Sequence, residues 1–271
     1  MAAGVSPEAR TDYGEIVVVG GGCYGSYYVR QLGRAAAAGA ITWERLTVVD
    51  RNTDCPAKRT ASAESAEEWA APAPQFIAQE WGEFFDNWLG TVTAGDAIVP
   101  SPLMPHLFFE YIARTTQRRW PGRAVSRAPL PGAIGTPWEQ AAPDGTAYVS
   151  HATWTCPVNC IEPRICPHTR GLRDWTMPAT LAAWADSRRA VGETVLGPFT
   201  FHCTHRAYGV GMVDAAPIHD AEQAIASAAR EGEVRALVAT ASHCHGAAAM
   251  LAVGPVGSGR ERERERGTMR T

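Results

Sequence analysis

A glycine-rich segment near the N-terminus constrains the fold of this chain more than any other feature. Residues 15–25 read Glu-Ile-Val-Val-Val-Gly-Gly-Gly-Cys-Tyr-Gly, so four β-branched residues precede glycines at 20, 22 and 25 in G-x-G-x-x-G spacing. A second apolar run, residues 46–50, ends in the carboxylate of Asp50. This order predicts a strand, a tight turn, a helix and a second strand, which together are typical of a dinucleotide site.

Each of the three glycines has a predicted role in this turn. Gly20 permits the sharp exit from the strand, and Gly22 lets the backbone approach a pyrophosphate without a Cβ in the way. Gly25 lets the helix lie close against the sheet. The helix is predicted over residues 24–38, and its free N–H groups would point at the phosphates.

The residues around the turn indicate which nucleotide it binds. Asp50 suits the ribose hydroxyls of NAD(H), whereas the neighbouring Arg51 keeps NADP open, and FAD is a further alternative. Asp50 follows the turn later than the ~20 residues usual for this motif, because residues 35–44 lengthen the connection. Cys23 lies inside the turn and is included among the predicted cofactor contacts.

The composition limits the classes of protein to which the chain can belong. Its 271 residues suffice for one large or two small domains, and a net charge of −3 does not favour a nucleic-acid partner. No apolar run reaches the ~20 residues of a membrane span, so a cytoplasmic protein without membrane insertion is expected. A small-molecule substrate, and either a second copy of the chain or a redox partner protein, are the expected partners.

The order of apolar runs predicts an α/β fold, with a Rossmann-like, mostly parallel sheet, helices on both faces and an irregular Pro/Cys-rich insertion. The predicted segments are a disordered leader (1–13), the nucleotide-binding part (14–120), the insertion (121–197), strands and helices completing the sheet (198–253) and a disordered charged tail (254–271). Further strands are predicted at 96–100, 199–202 and 234–239, and helices at 81–88, 107–116 and 221–231. Residues 121–147 are predicted to be an irregular excursion.

Histidines and cysteines follow several of the predicted strands. They are His106, then His202, Cys203 and His205, and then His243, Cys244 and His245 beside Ser242. Because ligands bind beyond the carboxyl ends of parallel strands, these groups would line one crevice if their strands are neighbours. His205 and His243 are the predicted acid/base pair, since histidine exchanges protons near neutral pH. The alanine-rich segment after Gly246 is predicted to begin another helix.

A cysteine-rich segment is the second strong feature. Cys156, Cys160, Cys166 and His168 are spaced C-x3-C-x5-C-x-H among several prolines. Three interpretations stay open: a zinc or other mononuclear site, an iron–sulfur cluster, or free redox-active or buried thiols. The fourth metal ligand would be His168 or a distant residue such as Cys203 or Cys244.

Residues 15–52, with their Val-Val-Val-Gly-Gly-Gly-Cys-Tyr-Gly turn and Val-Val-Asp-Arg-Asn strand end, resemble the NAD-binding domains of potassium-transport regulators. They are also similar to the N-terminal dehydrogenase domain of sirohaem synthases. The resemblance implies that Gly20, Gly22 and Gly25 contact the pyrophosphate and that Asp50 contacts the adenosine ribose. It covers about the first fifth of the chain and does not extend to the cysteine-rich segment.

These observations together predict an NAD(H)-binding oxidoreductase-like protein that acts on a small molecule and carries a cysteine-rich metal or iron–sulfur site. The first alternative is a non-catalytic protein that senses nucleotide together with redox state or metal. The second alternative is a group-transfer enzyme that uses the glycine turn for another nucleotide-like ligand, such as S-adenosylmethionine.

Overall fold

The computed structural model describes residues 11–63, 71–156 and 160–255, and it divides into two compact units. The first unit comprises the described residues of Met1–Phe84, Val92–Ser101 and Thr204–Ala215, and the second comprises the rest. Most of the predicted leader and charged tail lies outside the described residues. Among the described helices, none is both long and apolar enough to cross a membrane.

Twelve strands and six helices alternate irregularly along the described chain. The strands are β1 (Asp12–Val19), β2 (Thr42–Asp50), β3 (Gln75–Ala78), β4 (Ala97–Val99), β5 (Val125–Ala128), β6 (Trp138–Ala141), β7 (Ala147–Ser150), β8 (Leu196–His202), β9 (Thr204–Ala207), β10 (Val210–Asp214), β11 (Val234–Ala241) and β12 (His245–Val253). The helices are α1 (Cys23–Ala37), α2 (Pro56–Ala63), α3 (Trp81–Trp88), α4 (Leu107–Arg119), α5 (Met177–Ala190) and α6 (Ala216–Glu231).

The first unit is built on a six-stranded sheet in the order β3-β2-β1-β4-β10-β9. Its first four strands are parallel, and β10 and β9 are added antiparallel at one edge. The parallel part has the strand order 3-2-1-4, which also occurs in doubly wound α/β sheets. The predicted α/β class with a mostly parallel sheet is therefore confirmed.

Apolar periodicity explains how α1 packs on this sheet. Val29, Leu32 and Ala35 recur at helical spacing on one face of α1, and all three are buried in one core cluster with Ile16 and Val48 of the sheet. β1 is buried along most of its length, as its unbroken β-branched run predicts for a central parallel strand. The core therefore packs α1 against one face of the parallel sheet.

The second unit contains a separate mixed sheet in the order β6-β7-β12-β11-β8, with β5 paired to β12 as well. β8 and β11 are parallel, and the other pairs are antiparallel. Met177, Leu181 and Trp184 of α5 pack in one cluster with Leu237 of β11 and Met250 of β12. This cluster covers one face of the second sheet.

The structure corrects three predictions about the later part of the chain. The strands at 199–202 and 234–239 exist, but they lie in the second sheet and do not complete the first one. The segment 121–147, predicted to be irregular, contains the strands β5 and β6 and leads into β7. These strands form because β5 and β7 each pair with β12, and β6 pairs with β7. The segment after Gly246 is a strand, since β11 and β12 form a hairpin that buries its alanines on both sides.

Candidate functional site

The glycine turn in the first unit has a geometry that accounts for each of its glycines. Gly20 adopts φ +85°, which favours glycine, and its N–H donates to the carbonyl oxygen of Val49 at 2.9 Å. A Cβ on Gly25 would lie 1.9 Å from the carbonyl oxygen of Gly20, so this close approach of helix and turn requires glycine. A Cβ on Gly22 would have no described atom within 4 Å, so the backbone faces open space there.

The start of α1 is open to a ligand. Gly22 is the N-cap residue, no side chain among the described residues caps the helix, and its first turn contains no acidic residue. The side chain of Cys23 is exposed at this point. Uncapped N–H groups and the positive end of the helix dipole favour an anion here.

Asp50 lies at the end of β2 and holds the turn in place. Its Oδ2 accepts from the N–H of Gly21 at 2.7 Å, and its Oδ1 accepts from the N–H of Asn52 at 2.8 Å. Each carboxylate oxygen has a second lone pair, so hydroxyl donors can still bind. A small cavity of about 100 Å³ adjoins Asp50, with Lys58 and Phe76 among the residues in its wall.

In the second unit, β8 and β11 end side by side, as expected for parallel neighbours. Ala241 is in register with His202, and the N–H of Cys203 donates to the carbonyl oxygen of Ala241 at 2.7 Å. The rings of His202 and His243 lie 6.2 Å apart, centroid to centroid. The predicted meeting of these two strand exits is therefore observed, although the glycine turn lies in the other unit.

The turn between β11 and β12, residues Ser242–Cys244, binds the carboxylate of Glu162. Ser242 Oγ donates to Glu162 Oε1 at 2.7 Å, the N–H of His243 donates to Oε2 at 2.9 Å, and the N–H of Cys244 donates to Oε1 at 3.1 Å. Glu162 adopts φ +52°, an uncommon conformation for a residue with a side chain. These bonds join the cysteine-rich segment to the histidine-bearing turn.

Two histidines of this unit are held by hydroxyl groups. Ser150 Oγ donates to the carbonyl oxygen of Ala152 at 2.8 Å, so it accepts from His245 Nδ1, which lies 2.9 Å away. Thr180 Oγ1 donates to a helix carbonyl and accepts from His151 Nε2 at 3.0 Å. The hydrogen-bond network therefore leaves the Nε2 atom of His245 and the Nδ1 atom of His151 as unprotonated acceptors.

The three histidines of this cluster favour the neutral form. Burial lowers the pKa of His151, His243 and His245 below the ordinary value. His243 and His245, where they are protonated, lower the pKa of His151 further by repelling a second positive charge. The neighbouring carboxylate of Glu162 acts in the opposite direction on His243 and His245. Neutral imidazoles at neutral pH can accept a proton.

An open cleft of about 460 Å³ lies beside this cluster. His245 and Ser150 form part of its wall, together with Cys156 and the indoles of Trp138 and Trp154. Aromatic walls with a few polar groups are typical of small-molecule sites. The cleft and the histidines form the candidate site of the second unit.

The predicted metal ligands lie in the same unit, but they do not form a metal site in the described residues. There, no group of three or more His, Cys, Asp or Glu side chains is placed to hold a metal ion. Burial raises the pKa of the Cys156 thiol, and the neighbouring Cys160 adds to this effect. The ring of His168 stacks on Trp154 at 4.4 Å. Metal binding by Cys156, Cys160, Cys166 and His168 therefore stays a prediction.

Backbone donors surround the third of these thiols, Cys166. The N–H of Thr169 lowers the pKa of Cys166, and the hydroxyl of Thr169 and the N–H of His168 act in the same direction. Cys166 itself is buried. Donors of this kind stabilise a thiolate, which is the form that ligates a metal or reacts as a nucleophile.

The remaining predicted residues lie elsewhere in the two units. His205, the predicted partner of His243, is on β9 of the first unit, is exposed, and its Nδ1 lies 3.0 Å from the carbonyl oxygen of Gly209. His106 belongs to the second unit, where its Nε2 lies 2.8 Å from the hydroxyl of Tyr148. Burial lowers the pKa of His106, and the charge of Arg127 lowers it further.

Sequence reasoning missed Ser150, His151 and Glu162. Ser150 and His245 are register partners across β7 and β12, so only the strand pairing brings them together. Glu162 lies between Cys160 and Cys166, and a carboxylate amid clustered cysteines was the one available signal.

Comparison with known proteins identifies only the later part of the chain. No curated protein and no solved structure matches it. One family model, AF_1314_C, described as "Uncharacterized protein, C-terminal domain", matches residues 108–254, which is more than half of the chain. This stretch contains His151, His243 and His245, the cleft and the cysteine-rich segment of the second unit. The chain therefore belongs to the family defined by this C-terminal domain.

Proposed function

We propose that the protein is an oxidoreductase that binds NAD(H) at the glycine turn and acts on a small molecule. The observation that carries this proposal is the turn itself, where Gly22 leaves the backbone open at an uncapped helix start and Asp50 ends the next strand. NAD(H), when bound, supplies the hydride carrier. NADP and FAD remain the alternative cofactors.

The histidines of the second unit support the chemical part of the proposal. Oxidation of an alcohol or reduction of a carbonyl requires a group that exchanges a proton with the substrate. His243 and His245 favour the neutral form through burial, and the unprotonated Nε2 of His245 is suited to accept a proton. In this proposal His243 has the acid/base role that the sequence predicts, and His245 shares it. A role for His205 stays a prediction.

The binding part is tested with Gly22→Val, because its Cβ would enter open space and leave the fold intact. NADH fluorescence titration is expected to show at least a ~10-fold loss of affinity if the backbone must approach the pyrophosphate. Gly90→Val is the matched control, since Gly90 is also open in the described structure. Unchanged NADH affinity in Gly22→Val, or no NADH binding by the unaltered protein, contradicts the proposal.

A redox or metal sensor that binds nucleotide without turnover is the second candidate. It is favoured by Glu162, which links the cysteine-rich segment to the turn at His243. An enzyme should change nicotinamide absorbance in a substrate-dependent way, and His243→Gln should reduce that rate by ~100-fold or more. A sensor should bind NADH tightly and show no turnover with a panel of alcohols and carbonyl compounds.

A further inference from the structure

We infer that the turn Ser242–Cys244 is a binding site for the carboxylate or phosphate group of a small ligand, and that Glu162 occupies this site as an intramolecular substitute. If that ligand is the substrate, the inference rests on the proposed function and adds that the substrate is an anion. The carboxylate of Glu162 stands in for the oxyanion of the ligand.

The donors of the turn converge as they would around an oxyanion. One hydroxyl and two successive backbone N–H groups, those of Ser242, His243 and Cys244, bind the two oxygens of Glu162 at 2.7, 2.9 and 3.1 Å. Successive N–H groups that point into one concavity form an anion-binding nest. Ser242 Oγ also accepts from the N–H groups of Cys244 and His245 at 3.3 and 3.2 Å, which orients its proton toward the anion.

The charges around the turn favour an anion. The positive charge of Arg173 is close enough to lower the pKa of His243 and His245, in each case less than burial does. Arg173 also donates to the carbonyl oxygen of Pro163. Glu162 and Arg173 act in opposite directions on the pKa of His243 and of His245. An anionic ligand that replaced Glu162 would therefore bring a negative charge to the same place.

Glu162 is placed so that it can be displaced. Glu162 lies in the cysteine-rich segment, between the half-buried Cys160 and the buried Cys166. It does not belong to a strand of either sheet. Its φ of +52° is a conformation that residues with a side chain rarely adopt. Release of Glu162 would relieve this backbone strain, whereas the donors of the hairpin turn would stay in place.

The turn also lies next to the groups proposed to exchange protons. His243 supplies one of the donors, and His245, which follows Cys244, lines the cleft of about 460 Å³. A ligand whose oxyanion binds at the turn would extend its remaining atoms near these imidazoles. The anion site would then position the substrate for the proposed reaction.

When a group of the protein itself occupies a binding site, the apparent affinity for a ligand is the intrinsic affinity multiplied by the fraction of molecules in which the site is open. Removal of Glu162 should therefore expose a latent site for simple anions. We expect Glu162→Ala to bind inorganic phosphate or acetate at least ~10-fold more tightly than the unaltered protein. Acetate and phosphate, titrated separately, distinguish a carboxylate site from a phosphate site.

The experiment follows the backbone amide signals of His243 and Cys244 by NMR during each titration. In Glu162→Ala we expect the anion to shift the signals of these two amides. Adding Ser242→Ala should lower the affinity for the anion at least ~10-fold. Glu162→Gln, which keeps a hydrogen-bond acceptor, serves if Glu162→Ala does not fold, and it should bind more tightly than the unaltered protein as well. Absence of amide shifts, or equal affinity with and without Ser242, overturns the inference.

The outcome can be separated from that of the proposed function. Phosphate binding by Glu162→Ala should persist when Gly22→Val is added, because the turn Ser242–Cys244 and Gly22 belong to different units. NADH affinity that stays unchanged on adding Gly22→Val, together with retained phosphate binding by Glu162→Ala, would contradict the NAD(H) proposal and support the anion site. Phosphate binding that disappears with Gly22→Val would overturn the anion site.

Discussion

A hydrogen bond of 2.7 Å joins Oδ2 of Asp50 to the backbone N–H of Gly21, and it ties the end of β2 to the glycine turn after β1. The other oxygen of the same carboxylate accepts from the N–H of Asn52. Asp50 therefore supports the shape of the turn before any nucleotide binds. In the proposed complex the second lone pairs of its oxygens would accept from ribose hydroxyls, so one carboxylate serves both the fold and the ligand.

This double role predicts that Asp50→Ala lowers stability as well as nucleotide binding. The N–H of the buried Gly21 and the N–H of the exposed Asn52 lose their acceptor. Because an unpaired buried N–H is costly, we expect the free energy of unfolding to fall by about 1–3 kcal/mol, mostly through Gly21. Urea denaturation measures the change. Asp54→Ala is the control, because Asp54 pairs with Arg59 at an exposed position and its loss should cost less than about 1 kcal/mol. Equal effects of the two substitutions would contradict the supporting role of Asp50.

Gly25 and Gly22 are predicted to differ sharply in their tolerance of a methyl group. In Gly25→Ala the new Cβ would meet the carbonyl oxygen of Gly20, and because backbone atoms must shift we expect a loss of about 3 kcal/mol or more. Gly22→Ala meets no described atom, so its stability should stay within about 1 kcal/mol of the unaltered protein. Thermal and urea unfolding of both variants test the pair. A stable Gly25→Ala would show that the turn and helix are less closely packed.

The first strands and helix could be predicted because their signals are local. The β-branched run, the glycine spacing and the apolar face of α1 all lie within about forty residues and favour the same arrangement. The predicted helix at 81–88 matches the bounds of α3, because its aromatic residues recur at helical spacing.

The second sheet could not be predicted because its strands depend on distant partners. Ala247–Ala249 favour a helix by intrinsic propensity, yet they lie in β12, which pairs with β11 on one side and with β7 and β5 on the other. His243 and Cys244 stood out as a dense polar group after a strand. Ser150 and His151 did not, because β7 is short and its pairing with β12 is invisible along the chain.

The lowered pKa values of the clustered histidines predict how stability depends on pH. In the unfolded chain these imidazoles bind protons below about pH 6.5, whereas in the folded protein they bind them only at lower pH. The stabilisation that comes from these neutral histidines is therefore complete above their pKa in the unfolded chain, about 6.5. It is lost as the pH falls from there through their lower pKa values in the folded protein. Urea unfolding at successive pH values should show this decline.

Substitution of single histidines identifies which of them cause this loss of stability below about pH 6.5. We expect His151→Gln, His243→Gln and His245→Gln each to flatten the dependence of the unfolding free energy on pH below about 6.5, because each removes one group that gains a proton on unfolding. Burial is the main cause of each shift. A dependence that stays unchanged in all three variants would contradict the assigned protonation states.

Ser150 is predicted to select the tautomer of His245. Its hydroxyl donates to the carbonyl oxygen of Ala152 and so requires a proton on His245 Nδ1. The tautomer is measured by nitrogen-15 NMR of the imidazole at a pH about one unit above the ordinary histidine pKa. The unaltered protein should show the Nδ1–H tautomer. In Ser150→Ala the Nε2–H tautomer should gain population. Thr180→Ala is the matched control, since it removes the acceptor of His151 and should leave the tautomer of His245 unchanged.

The cysteine-rich segment carries the last prediction, which concerns metal. The backbone donors around Cys166 stabilise a thiolate, and Cys156 and Cys160 lie near one another in the same unit. We expect protein purified without oxygen to contain zinc, or iron with sulfide, in elemental analysis and the visible spectrum. Cys156→Ser and Cys160→Ser should each lower the metal content at least ~10-fold, whereas Cys23→Ser should not. A colourless protein free of metal would leave redox-active or buried thiols as the remaining interpretation. Glu162 would then link the turn at His243 to a segment of free thiols and not to a metal site.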